Sequence, residues 1–189
     1  MTDSLAFKKY IENFVIYNLS SQALRGITSE SLKNPLGIYG ERLDVLISSL
    51  SEDELQKIKD FRYIISWLDD IILDKDNSLK SSGLTIEGNS SIYFSDKFMK
   101  EGTKFNIENA NEGILHVLFY LVLFISDKTP LFFAIDNIET ALNPQLCRHL
   151  TEVLSTINST KQALISTHNP AILDGLDLTN DDISLALEI

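Results

Sequence analysis

The sequence predicts an α/β fold: a mostly parallel sheet with flanking helices, preceded by a helical segment and a small antiparallel meander. Three observations carry this. From residue 111 onward, helix and strand patterns alternate: helix 111–125, strand 131–136, helix 144–157, strand 162–167, helix 170–175 and strand 183–188. Such alternation implies βα crossovers and a parallel sheet. Second, Leu131-Phe132-Phe133-Ala134-Ile135 is apolar without interruption, the pattern of a strand covered on both faces. Third, Asn143-Pro144 places a capping side chain directly before proline, a strong helix start just after that strand.

The elements follow in order. Residues 1–27 open on a helical pattern and then run apolar through Phe14-Val15-Ile16-Tyr17, a short strand. Pro35, Gly37 and Gly40 mark residues 28–40 as a loop. Residues 41–50 are apolar at Leu43, Leu46, Ile47 and Leu50, a helical spacing. Ser51-Glu52-Asp53-Glu54 is a capping box. It starts a helix expected to reach about residue 72, with Leu55, Ile58, Phe61, Ile65 and Leu68 on one face. Three β-like runs separated by turns follow: Leu84-Thr85-Ile86-Glu87, Ser91-Ile92-Tyr93-Phe94-Ser95 and Thr103-Lys104-Phe105-Asn106-Ile107. They read as the meander. The division expected is a mainly helical segment over residues 1–83 and an α/β core over 84–189, together one domain or part of one.

Composition sets limits. The chain has 189 residues, 44% of them hydrophobic, and a net charge of −11. A free-standing nucleic-acid grip shows a basic face, which this balance argues against. The single Cys147 forms no intrachain disulfide and suits a reducing compartment. No signal-peptide core interrupts the charged N-terminus. The longest apolar run, residues 114–125, is broken by His116 and is too short for a membrane span of about 20 residues. A cytoplasmic protein with no membrane contact is expected.

Three phrases carry the chemistry. Asp136 ends the apolar run at 131–135. Ligands of open α/β sheets lie beyond the carboxyl ends of the strands, and a carboxylate there can hold Mg²⁺ through water; a simple turn cap is the alternative. His168 stands in Ser166-Thr167-His168-Asn169-Pro170 at the end of the next strand. Asn111-Glu112-Gly113 opens a helix, where a small polar cap and a glycine let the helix N-terminus approach a phosphate. Only His116, His149 and His168 could serve a histidine-based metal site, and they lie far apart in sequence; no nucleophile elbow or HExxH motif occurs.

From about Leu36 to Leu187 the chain resembles the C-terminal part of the AAA-21-type ABC ATPases, relatives of RecF, of the SMC and Rad proteins and of the overcoming-lysogenization-defect ATPases. The resemblance rests on Gly37-Ile38-Tyr39-Gly40-Glu41-Arg42-Leu43, on Ile135-Asp136-Asn137-Ile138-Glu139-Thr140-Ala141-Leu142-Asn143-Pro144, and on Thr167-His168-Asn169-Pro170-Ala171-Ile172-Leu173-Asp174-Gly175-Leu176. It implies that Asp136 closes the Walker B strand and binds the metal. His168 becomes the switch histidine, Asn111 and Gly113 stand at the signature motif, and Asn143 belongs to the D-loop. Two departures stand out. Asn137 occupies the position of the family's water-polarising Glu; Glu139, two residues on, substitutes for it only if the loop turns it inward, and otherwise lies in the outer part of the loop. No G-x-x-x-x-G-K-[ST] loop occurs in the sequence.

The resemblance therefore implies the C-terminal lobe of an ATP- and Mg²⁺-dependent head. Its phosphate loop, the Walker A element, would come from another segment or chain, and it would pair head to head with a second head. DNA repair or phage defence would be the setting, with DNA or a nuclease reached through the full complex. The alternative is a non-catalytic regulatory or scaffold subunit that keeps degenerate ATPase motifs.

Overall fold

Apolar strand residues become a sheet only where neighbouring edges supply hydrogen bonds, so the sheets are best described through their pairings. The computed structural model describes residues 13–26, 35–75, 91–157 and 160–186, together with Lys8, Ile11 and Leu79. In chain order the elements are β1 (Val15–Tyr17), α1 (Ser21–Leu24), α2 (Leu43–Ser48), α3 (Glu52–Asp60), β2 (Leu68–Leu73), β3 (Ile92–Asp96), β4 (Lys104–Asn106), α4 (Glu112–Ile125), β5 (Phe132–Ile135), α5 (Pro144–Thr156), β6 (Gln162–Ile165) and α6 (Pro170–Leu173). The fold is α/β, with one parallel and one antiparallel sheet among the described residues.

The parallel sheet has the order β1-β5-β6. Tyr17 pairs with Ile135 and Ile135 with Ile165, so the three carboxyl ends lie level. β5 reaches β6 through the single crossover helix α5. Movement from β1 to β5 to β6 runs one way across the sheet, and right-handed crossovers in one direction put their helices on one face. That face is closed over β1 and β5 and stays partly open at β6, where Ile165 is exposed. Tyr17 meets Phe119 of α4 edge-on at 5.2 Å, and Phe124 of α4 meets Phe133 at 5.3 Å. Cys147, Leu150, Val153 and Leu154 of α5 join the same core. Asn111 caps α4 at its start, accepting from Ile114 N at 3.0 Å. The buried α4 then carries an almost unbroken apolar surface from Ile114 to Leu123. Lys161, just before β6, donates to the carbonyl of Leu123 at 2.7 Å and to that of Ser126, satisfying the last turn of α4.

The antiparallel sheet β2-β3-β4 holds Ile71, Phe94 and Phe105 across its width. Phe105 packs on Trp67 at 5.7 Å and on Phe94 at 5.8 Å. The capping box at Ser51 forms: Glu54 N donates to Ser51 Oγ at 3.2 Å, and Ser51 N to Glu54 Oε2 at 2.8 Å.

Four expectations are corrected. The helix begun at Ser51 ends at Asp60 and passes through a 3-10 turn, and Leu68–Leu73 is a strand. Leu68 and Ile71 suit a helix face equally well, but pairing with β3 gives their backbone its partners. Residues 183–186 form no strand: Ile183 N donates to Asn180 O in a turn, and Leu185 is left exposed. The last helix is one turn, Pro170–Leu173. The run at 131–135 is fully covered on one face only: Phe133 and Ile135 are buried, Phe132 and Ala134 on the opposite face are half-buried, and Leu131, before the strand, is exposed. The run at 84–87 and the ends of the expected strand at 187–188 lie outside the described residues, as does most of the helical pattern before residue 13. Among the described residues no helix is long and apolar enough to cross a membrane.

Candidate functional site at the carboxyl ends of the parallel strands

Each strand of the parallel sheet hands over to a polar residue: Asn18 after β1, Asp136 after β5, Ser166 after β6. Level strand ends bring the three side by side. Asp136 Oδ1 accepts from Ser166 Oγ at 2.6 Å. Its Oδ2 meets Asn18 Nδ2 only at 3.5 Å, the outer limit of a hydrogen bond. One carboxylate oxygen of Asp136 therefore stays largely available. Its contacts among the described residues are with neutral groups.

The loop after β5 is laced to the loop after β6. Asn137 N donates to Ser166 Oγ at 2.9 Å, and Ile138 N to Ser166 O at 3.2 Å. Asn137 and Ala141 adopt left-handed backbone, at φ 51° and 64°. Such conformations are uncommon outside glycine, and asparagine tolerates them best. They turn the chain sharply about Ile138, whose carbonyl accepts from the buried Tyr120 hydroxyl at 3.2 Å. Asn137 Oδ1 is buried with no partner among the described residues.

Both carboxylate oxygens of Glu139 accept hydrogen bonds from the neighbouring loop. Thr167 Oγ donates to its Oε2 at 2.7 Å, and His168 N to its Oε1 at 2.9 Å. Burial pushes its carboxyl upward, but the hydrogen bonds from Thr167 and from the His168 amide outweigh this and hold it below the usual carboxylate range. Glu139 is thus a stable carboxylate with both oxygens in use. His168 itself is exposed at the end of β6. Asn169 next to it caps α6 through Ala171 N at 3.0 Å.

The remaining candidates sit alongside. A Cβ at Gly113 would lie 3.4 Å from Ala141 O, so the N-terminus of α4 abuts the loop that follows Asp136. The side-chain oxygen of Asn111 is occupied as the α4 cap. That of Asn143 caps α5, accepting from Leu146 N at 2.9 Å. Asp136, Asn137, Glu139 and His168 therefore form one cluster, Gly113 and Asn111 border it, and Asn143 stands one turn further along the chain. His116 belongs elsewhere: it is buried in α4, and burial pushes its imidazole down to about 4. Cys147 is a buried free thiol.

The sequence reasoning did not assign roles to Asn18, Ser166 or Thr167. For Asn18 a signal existed: it follows an apolar strand as Asp136 does. Among the described residues no group of three or more His, Cys, Asp or Glu side chains is placed to hold a metal. A lone carboxylate with a free oxygen at a strand end does fit Mg²⁺, which keeps several waters and takes its other ligands from phosphates.

The parallel sheet carries an acidic loop beside a Thr-His loop at its carboxyl ends, and the comparison of its sequence with family profiles puts the domain in the P-loop NTPase-like class. More narrowly, the chain belongs to the AAA-21 family, described as "AAA domain, putative AbiEii toxin, Type IV TA system", whose sequence profile matches residues 19–174. A comparison with curated proteins finds no match.

Proposed function

We propose that the chain provides the Walker B, signature and switch elements of an ABC-type ATP-binding and hydrolysing head, within a DNA-transaction or anti-phage-defence system. The phosphate loop comes from another segment or chain. The observation that carries this is the meeting of Asp136 with the His168 loop at the ends of adjacent parallel strands. In this reading Asp136 holds Mg²⁺ through water, using the oxygen that Ser166 leaves free. His168 reaches the terminal phosphate. The N-terminus of α4, at Asn111 and Gly113, faces the nucleotide of a second head. Asn143 shapes the loop between the two heads.

The test joins the chain to its phosphate-loop segment and follows Mg-ATP binding and hydrolysis. The 189-residue chain alone should bind Mg-ATP more weakly than micromolar, because the amides and lysine that cradle phosphates are supplied from outside. The joined protein should hydrolyse ATP, and Asp136→Ala should remove the Mg²⁺ dependence and the turnover together. Micromolar affinity in the isolated chain, or an indifferent Asp136→Ala, would overturn this function.

One observation favours a second reading, a regulatory or scaffold subunit without turnover. Asn137 cannot act as a base, and Glu139, two residues on, turns both oxygens to the hydrogen bonds of the neighbouring loop. If the joined site hydrolyses slowly, Asn137→Glu should raise the rate with little change in ATP affinity, since the residue acts on water. If neither form hydrolyses ATP, the regulatory role holds.

A further inference from the structure

Two loops that follow different strands need a mechanical connection if the groups on them are to act at one point. Here the connection can be followed atom by atom. Thr167 Oγ faces two groups: the Glu139 carboxylate at 2.7 Å and the Asn169 amide nitrogen at 3.1 Å. An ionised carboxylate only accepts and an amide N–H only donates. The hydroxyl proton must therefore point to Glu139, and the hydroxyl lone pair must receive Asn169 N–H. The other carboxylate oxygen takes His168 N–H at 2.9 Å. Three consecutive residues of the switch loop, 167 to 169, are thus oriented by one side chain from the neighbouring loop. Glu139 is held in turn by its own backbone. The left-handed residues Asn137 and Ala141 bracket it, Leu142 N donates to its carbonyl at 3.0 Å, and Tyr120 holds Ile138 from below. The imidazole of His168 has no hydrogen bond of its own among the described residues, so its place is set through its backbone.

We propose that Glu139 is a positioning residue, a latch that fixes the His168 loop to the Asp136 loop, and not the base that activates water. A base needs an oxygen facing the site and a proton acceptor free to change state. Both oxygens of Glu139 are turned to the adjacent loop in charge-assisted hydrogen bonds, which are the stronger kind. In its ATPase consequence the latch rests on the function proposed above; as a feature of the fold it does not.

The experiment has two arms. Residue-resolved amide exchange by NMR is measured on the 189-residue chain, with α4 amides as the control for intact folding. Glu139→Ala should speed exchange at His168 by roughly tenfold or more, because that amide loses its acceptor, and should speed exchange at Asn169 less, because its acceptor, the Thr167 hydroxyl, stays but is no longer oriented. Glu139→Gln should keep most of the protection. Its carbonyl can still accept from His168 N–H, and its amide can donate to Thr167 Oγ. Thr167→Val should release Asn169 while leaving His168 protected, and it serves should Glu139→Ala fail to fold. The second arm measures turnover in the joined protein. Glu139→Gln should retain activity within about fivefold, while Glu139→Ala should lose it by roughly a hundredfold, since displacement of a catalytic group by about 1 Å has that scale. Equal inactivity of the Gln and Ala forms would identify Glu139 as a base and overturn the latch. So would unchanged exchange at His168 in Glu139→Ala. Should the joined wild-type protein hydrolyse nothing, the ATPase function falls, and amide exchange alone decides the latch.

Discussion

Tyr17, Phe133 and Ile135 on one face of the parallel sheet are at most 1% exposed, whereas Ile16 and Leu164 on the other are each 57% exposed. The residues alternate along the same strands: Ile16, the half-buried Ala134 and Leu164 pair across one side, while Tyr17 and Ile135 pair on the other and are buried until the edge strand β6, where Ile165 is 40% exposed. Side-chain chemistry does not distinguish the rows, since both are apolar. Crossover direction does. The strands advance one way across the sheet, and α4 and α5 both pack on the side of Tyr17 and Phe133. An uninterrupted apolar run thus reports that both sides of a strand suit burial, while the winding of the chain decides which side receives it.

Truncation on the covered face should give the largest effect. Phe133 touches Tyr17, at 6.3 Å between ring centres, as well as Phe124. Phe133→Ala should cost about 3–5 kcal/mol, the usual range for a buried phenylalanine, read as a lower denaturant midpoint. A cost near zero would mean that the two faces are energetically alike.

The covered face should also carry an acid sensitivity. His116 is fully buried in α4, its ring nitrogens have no partner among the described residues, and burial lowers its imidazole to about 4. Its folded value lies below the ordinary 6.5. As pH falls, the unfolded chain therefore takes the proton first, and stability falls with it. The contribution is whole above pH 6.5 and is lost progressively down to about pH 4, up to roughly 3 kcal/mol. His116→Leu should flatten stability across that window and raise it at neutral pH, where an unpaired buried imidazole is a liability. An identical pH profile in the two proteins would refute the assignment.

A smaller loss is expected where α5 meets the residues after α6. A Cβ at Gly175 would stand 2.1 Å from Thr151 Oγ and 2.3 Å from the carbonyl of Arg148. Backbone cannot yield as a flexible side chain can, so Gly175→Ala should cost about 1–3 kcal/mol, measured by thermal melting. The displacement should also weaken the hydrogen bond from Thr151 Oγ to Ile172 O, now 3.0 Å.

Local patterns made half of this readable in advance. The β5-α5-β6 unit is written in contiguous signals: an apolar run, an aspartate at its end, Asn143-Pro144 to start the helix, and Ser166-Thr167-His168 after the next strand. What was missed depends on distant partners. Leu68–Leu73 has residues at a spacing that serves helix or strand, and β3 alone settles it. Residues 183–186 look like a strand but meet no edge. Asn18 and Asp136 are 118 positions apart, so only the parallel pairing of β1 and β5 reveals their contact. The sequence leaves Glu139 two places, turned inward as a substitute carboxylate or set in the outer part of its loop. Only the neighbouring loop, 28 and 29 residues away, shows where its oxygens are spent.

The smallest effect is expected on the open face, and it tests the comparison from the other side. Leu164 is 57% exposed, and its partner across the sheet is the small Ala134. Leu164→Ser removes apolar surface that is already mostly in water, so little transfer free energy is lost. It leaves no enclosed cavity, which is the second component of a core truncation. The strand backbone keeps its pairing with β5, and serine is tolerated at a solvated strand position. The stability change should stay within about 0.5 kcal/mol, the usual bound for surface substitutions, with the denaturant midpoint measured at several protein concentrations. A loss of about 2 kcal/mol that is independent of concentration would mean that this face is covered within a single chain, and the contrast between the faces would fall. A loss that appears only at high concentration would locate the covering in a second copy. Ile16→Ala, at equal exposure on the opposite edge of the row, should repeat the same small value.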